Sequence, residues 1–174
     1  MEARRRDVLK LTAIAALPAC ARSPLVVPDS PNVKKEIAMQ TRPLMTLRLD
    51  TAPTQNLGSG PHGNRVTFPI TGGTFEGERL HGKVMPGGFD WTTTRADGVL
   101  ELDLRITLET DDGALIQMTF SGIRDDKAEG GPYFRTLPRF ETAAPKYAFL
   151  NRLLAVGRGE IRADGPVHIL EEVV

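Results

Sequence analysis

Between Val99 and Thr110, apolar and polar side chains alternate without a break. Leu100, Leu102, Leu104, Ile106 and Leu108 occupy every second position, with Glu101, Asp103, Arg105, Thr107 and Glu109 between them. A repeat of two places all five aliphatics on one face of a β-strand. Asp97-Gly98 precedes the run and Asp111-Asp112-Gly113 follows it, both with turn chemistry and the second suited to a hairpin. Ile116, Met118 and Phe120 then alternate with Gln117, Thr119 and Ser121, so 98–123 predicts two antiparallel strands. Weaker alternation marks Leu44–Leu49 and Val66, Phe68 and Ile70. Leu80–Met85 and Phe89–Arg95 are short strand candidates, split by Pro86-Gly87-Gly88. Leu153–Arg162 and Val167–Val174 are divided by the turn Ala163-Asp164-Gly165-Pro166. One stretch has helical spacing: Ala144–Leu154 carries Tyr147, Leu150 and Leu154 at i, i+3 and i+7, with Pro145 in its first turn. Eight or nine strands and one short helix predict an all-β fold, a small antiparallel β-barrel.

Composition narrows the function classes. The 174 residues suit one domain, and 40% apolar residues suffice for a core. Lys and Arg total 22 against 22 Asp and Glu, so no basic excess points to nucleic acid. One Cys excludes an intrachain disulfide, and three scattered His form no cluster with metal-ligand spacing. No metal and no cofactor is expected. A nucleophile elbow, a His pair on a helix and a phosphate loop ending in Lys-Ser/Thr are all missing from the sequence.

Residues 1–21 predict an export signal: a basic head, an apolar run from Leu11 to Ala19, then small residues. Arg5-Arg6-Asp7-Val8-Leu9-Lys10 resembles the twin-arginine pattern, which implies the twin-arginine export machinery as a partner and a periplasmic or envelope location. Two processing outcomes stay open. Leu17-Pro18-Ala19-Cys20 resembles a lipobox, with Cys20 lipidated and the membrane reached only through that anchor; alternatively Ala19-Cys20-Ala21 directs cleavage before Arg22. Removing 1–21 takes away four basic and two acidic residues, leaving 18 against 20. Residues 22–42, interrupted by Pro24, Pro28 and Pro31, predict a linker ahead of a barrel domain at 43–174.

The residues able to carry chemistry lie at strand ends and on one strand face. Asp90 stands beside Trp91, the sole tryptophan, just after a glycine turn. Asp103 and Arg105 are two apart and share a face. Tyr133 and Arg135 precede Glu141, and Tyr147 and Asn151 are four apart on the predicted helix. His62, His81 and His168 are expected to be surface or hydrogen-bonded residues. The predicted catalytic set is Asp90, Asp103, Arg105 and Tyr133. Asp90 or Asp103 would be the base, Tyr133 the acid or oxyanion donor, and Arg105 or Arg135 the holder of negative charge. Trp91, Arg135, Glu141, Tyr147 and Asn151 would bind the ligand. This reading needs Asp103 and Arg105 to point into the barrel while the leucines coat its outside or a neighbouring subunit. The opposite orientation, with aliphatics sealing the middle and the charges in water, is expected to end the case for a ligand chamber.

The ordered motifs Thr71-Gly72-Gly73-Thr74-Phe75-Glu76-Gly77, Met85-Pro86-Gly87-Gly88-Phe89-Asp90-Trp91 and Arg95-Ala96-Asp97-Gly98 resemble a family of bacterial proteins. Leu102-Asp103-Leu104-Arg105, Thr110-Asp111-Asp112-Gly113, Tyr133-Phe134-Arg135, Phe140-Glu141-Thr142 and Tyr147-Ala148-Phe149-Leu150-Asn151 continue the likeness. It is the domain of unknown function 3237 family, also called uncharacterised protein family 0311, matched over about 42–174. Phe89 replaces a small residue and Phe149 a Trp. The resemblance implies a calycin or allene-oxide-cyclase-like barrel, gathers Asp90, Asp103, Arg105, Tyr133, Arg135, Glu141, Tyr147 and Asn151 into one site, and implies no assigned activity. The expected function is binding of a small aromatic or oxygenated organic molecule, with cofactor-free isomerase, hydratase or lyase chemistry as an extension. The alternatives are a non-catalytic carrier and an envelope-anchored interaction protein, and a homo-oligomer stays open.

Overall fold

The computed structural model describes residues 38–174. The expected signal, Cys20 and the linker up to residue 37 lie outside the described residues. Strand β1 begins at Thr41, two residues ahead of the predicted domain start.

Ten strands follow in chain order: β1 (Thr41–Thr51), β2 (Gln55–Gly60), β3 (Gly63–Glu76), β4 (His81–Val84), β5 (Gly88–Thr94), β6 (Leu100–Thr110), β7 (Leu115–Asp125), β8 (Tyr133–Glu141), β9 (Ala155–Arg162) and β10 (Gly165–Val173). They fill eight staves of a closed antiparallel barrel. β1 and β2 lie end to end along β3, and β4 and β5 lie end to end along β6. The two breaks fall at Pro53 and at Pro86-Gly87, where proline lacks the N–H a ladder needs and Gly87 takes a φ of 107°. Pairing of β1 with both β10 and β3 closes the ring.

The leucine ribbon faces inward. Leu102, Leu104, Ile106 and Leu108 are buried together with Ile116, Met118 and Phe120 of β7 and Leu47, Leu49 and Phe75 opposite. Asp103 and Arg105 project to solvent as a pair at 3.3 Å. The lumen-facing orientation expected for these two charges is therefore reversed, and the aliphatics fill the middle of the barrel, the place of the expected ligand chamber. The cavity that does exist lies towards one end and is lined by residues other than these two charges. Energetics decides the orientation: burying each aliphatic contributes about 1.5–3 kcal/mol, whereas desolvating an ion pair costs several kcal/mol per ion.

The segment after β8 is a 3-10 helix, Pro145–Arg152, instead of the α-helix its spacing predicted. At three residues per turn, Tyr147, Leu150 and Leu153 stack on one side and pack on the core, while Leu154 turns out to solvent. The helix plugs one barrel end. Thr142 N–H donates to Asn151 Oδ1 at 2.9 Å and Asn151 Nδ2 donates back to Thr142 O at 2.8 Å. Tyr147 OH donates to Asp112 Oδ1 at 2.9 Å. Hydrogen bonds from Lys146, Thr110 and Tyr147 hold the Asp112 carboxyl well below the usual carboxylate range.

The β8–β9 seam is joined by only two residue pairs, Arg135 with Arg158 and Thr136 with Gly157. Glycines allow the close approach there. A Cβ on Gly157 would lie 2.2 Å from Thr136 Oγ1, and one on Gly159 2.4 Å from the Phe134 ring.

Candidate functional site in the barrel interior

The end opposite the 3-10 helix holds an interior cavity of about 210 Å³. Late β1, the middle of β3, β5, early β6, late β7, early β8, late β9 and early β10 all contribute to its wall. Most of the lining is apolar: Leu49, Phe68, Ile70, Leu100, Leu102, Phe134 and Ile161. Five side chains interrupt it with polar atoms: Thr51 at the end of β1, Asp90, Thr92, Arg124 and His168.

Strand parity puts them there. Asp90 and Thr92 are inward on β5, while Trp91 between them is outward. His168 shares its face with Leu170 on β10, and Arg124 continues the inward series Met118, Phe120, Gly122 on β7. Thr92 is already satisfied, donating from Oγ1 to Val66 O at 2.9 Å. Arg124 grips Asp126 through Nε and Nη2, both at 2.8 Å, and lies over the Phe134 ring. Asp90 and His168 are different. Both are buried, and Asp90 Oδ1 and His168 Nδ1 have no hydrogen-bond partner. The imidazole is wedged between Phe120 and Phe134, with ring centroids 4.9 and 5.2 Å away.

Burial sets the charge state of each. It raises the Asp90 carboxyl from 3.8 to about 7; a backbone N–H of Asp103 opposes the rise and the Asp103 charge adds to it. Burial lowers the His168 imidazole from 6.5 to about 4, so the ring is neutral near pH 7. The cavity thus presents a carboxyl able to give or take a proton near neutrality, and an uncharged imidazole able to accept or donate a hydrogen bond.

Of the sequence-predicted site residues, only Asp90 faces this cavity. Trp91, Asp103, Tyr133 and Arg135 gather in a separate groove on the outer wall. Arg105 and Glu141 are exposed on the outward faces of β6 and β8. Tyr147 and Asn151 close the far end through the hydrogen bonds to Asp112 and Thr142. The expected single site is thus divided, because neighbours along a strand point to opposite sides of the wall. His168, expected at the surface or hydrogen-bonded, is instead buried with a free ring nitrogen. The signal that could have found it is its even spacing with Leu170; for Arg124, it is the even spacing with Phe120.

The fold and sequence have clear counterparts. The structure superimposes on the crystal structure of a β-barrel-like protein from Acinetobacter baumannii with a TM-score of 0.75 and 35% identity, covering 78% of this chain and 96% of that one. A protein of Rhodopseudomonas palustris named UPF0311 protein is 34% identical over 149 residues, 78% of this chain and 97% of the relative. A shorter match, 35% identical over 88 residues, joins 51% of this chain to 52% of a hydroalkoxylation enzyme, phnH, of Penicillium herquei. The model of a family described as proteins of unknown function, DUF3237, matches residues 39–173, and the chain belongs to that family.

Proposed function

We propose that the protein binds a small, uncharged organic molecule in the barrel interior and transfers protons to and from it without a cofactor, with Asp90 as the acid–base group and His168 as its partner. The observation carrying this reading is the pair of buried polar atoms, Asp90 Oδ1 and His168 Nδ1, left without partners on the wall of one cavity. Buried polar groups are ordinarily paired, and a free one costs about 1–3 kcal/mol, so a ligand that satisfies both recovers that energy on binding.

Size and charge define the ligand. An apolar cavity of about 150 Å³ accommodates benzene, so 210 Å³ holds one substituted ring or a comparable branched chain. The apolar lining disfavours a charged group, and Arg124 is already neutralised by Asp126. The name of the Penicillium herquei relative, a hydroalkoxylation enzyme, supports a reaction class: addition of a hydroxyl across a carbon–carbon double bond, here with both groups on one ligand because the cavity has room for a single ring. In that step protonated Asp90 delivers its proton to one alkene carbon as the substrate oxygen bonds to the other, and His168 accepts the hydroxyl proton. Return of that proton to the Asp90 carboxylate restores the site, and product and substrate have equal mass. The twin-arginine pattern and Cys20 support placing this activity in the cell envelope, as a lipoprotein or a cleaved periplasmic protein; the mass of the mature N-terminus distinguishes them.

The test is a panel of neutral phenols bearing an unsaturated side chain, followed by chromatography for an isomeric product. Asp90→Asn should lower turnover by at least about a hundredfold while ligand affinity stays within a few-fold. Full turnover in Asp90→Asn would overturn the proton-transfer role. Binding without turnover in the wild type would leave a carrier.

A further inference from the structure

The outer wall of β5 to β8 carries a second concavity, a groove of about 830 Å³. Register sets its floor: Trp91 pairs with Asp103, Asp103 with Ser121, and Ser121 with Leu137. The adjoining row runs from Glu101 to Ile123 to Arg135. Ile123 and Leu137 expose neighbouring apolar surface on β7 and β8, and Trp91 exposes its ring on the far side of the groove, across Glu101 and Asp103 of β6.

The charges of this groove are unevenly satisfied. Glu101 is paired with Arg95 at 3.5 Å and Asp103 with Arg105 at 3.3 Å. Among the described residues, neither Arg65 on one flank nor Arg135 on the other has a carboxylate within salt-bridge distance. Arg135 lies 4.9 Å from the Tyr133 ring centroid, and its Nη1 donates only to the adjacent Phe134 carbonyl. Stacking on the ring holds the guanidinium plane in place and leaves the remaining N–H donors free.

We propose that this outer groove is a second ligand site, independent of the interior cavity, for a small amphipathic organic anion. Its ring or chain lies on Trp91, Ile123 and Leu137, and its carboxylate is received by Arg135. The groove volume falls within the roughly 300–1,000 Å³ of drug-sized ligand sites. A guanidinium beside apolar surface binds a carboxylate through two parallel N–H donors, and the apolar body shields that contact from water.

Trp91 is the only tryptophan of the chain, so the fluorescence of the full-length protein reports the groove directly. Hydrocinnamate, titrated against its neutral counterpart phenylpropanol, should change that signal saturably and bind about tenfold more tightly than the alcohol. Arg135→Gln should weaken hydrocinnamate about tenfold and remove the preference over the alcohol, with Arg135→Lys intermediate. Asp90→Asn should leave the titration unchanged, which separates this site from the interior one. Equal response to acid and alcohol, retention of the preference in Arg135→Gln, or loss of the signal in Asp90→Asn would each overturn the proposal. So would sedimentation showing a dimer that masks Trp91 and is dissociated by Leu137→Glu.

Discussion

Asp90 is held by its surroundings in a form that water would not favour, and its effect on stability has a definite sign. Its folded value, about 7, exceeds the ordinary 3.8, so the folded protein holds more protons between those limits. The contribution of Asp90 is full below about pH 4 and declines as pH rises to 7. His168 behaves oppositely. Its folded value of about 4 is below the ordinary 6.5, so its contribution is full above 6.5 and is lost as pH falls to 4. Over the shared window the two slopes oppose one another. Asp90→Asn removes the declining one, so the variant should gain stability on wild type as pH rises, reaching about 2–4 kcal/mol near pH 8, with little difference near pH 4. Denaturant unfolding at the two pH values checks this; equal stability near pH 8 would mean that the carboxyl is solvated. A carboxyl kept at a cost to stability is what the proposed acid–base role of Asp90 requires.

On β6, the same alternation gives two kinds of position with very different sensitivity. Leu104 is fully buried, and Leu104→Ala removes packing that the closed wall cannot collapse to fill; a loss of about 2–5 kcal/mol is expected. Asp103 and Arg105 form an exposed pair, so Asp103→Asn and Arg105→Gln should each change stability by less than about 0.5 kcal/mol. Both should leave turnover in the interior cavity unaffected. Thermal unfolding and product assays on the three variants separate the inward from the outward face. A large loss of activity in Asp103→Asn would return that carboxylate to the chemistry. The alternation from Leu100 to Leu108 made the strand readable from sequence, as did the turns at Asp97-Gly98 and Asp111-Asp112-Gly113. It did not reveal which face was inward, because a period of two is the same seen from either side.

Across the barrel, the sealing contacts and the proposed chemistry occupy opposite ends. The 3-10 helix seals one end with Tyr147 and Leu150, and the polar cavity occupies the other. Leu150→Ala should therefore lower stability by about 2–5 kcal/mol while activity per folded molecule stays at the wild-type level, measured below the unfolding transition. A parallel fall in activity would show that the two ends are coupled through the core. Asn151 and Tyr147, expected beside the ligand, serve this seal, since their partners Thr142 and Asp112 come from the turns at that end.

Sequence by itself determined the class of fold. Alternation, turn residues and the absence of long helical periodicity are local properties, and local sterics and burial suffice to turn them into an antiparallel barrel. Asp90 was also visible as a residue of interest beside Trp91. What only the tertiary structure decided was the side of the wall on which each side chain lies, and which strands close on one another. His168 and Asp90 are 78 positions apart and meet on one cavity because β10 and β5 both contribute to it. Nothing in either segment encodes that meeting, since desolvation of a carboxyl depends on what the rest of the chain places around it.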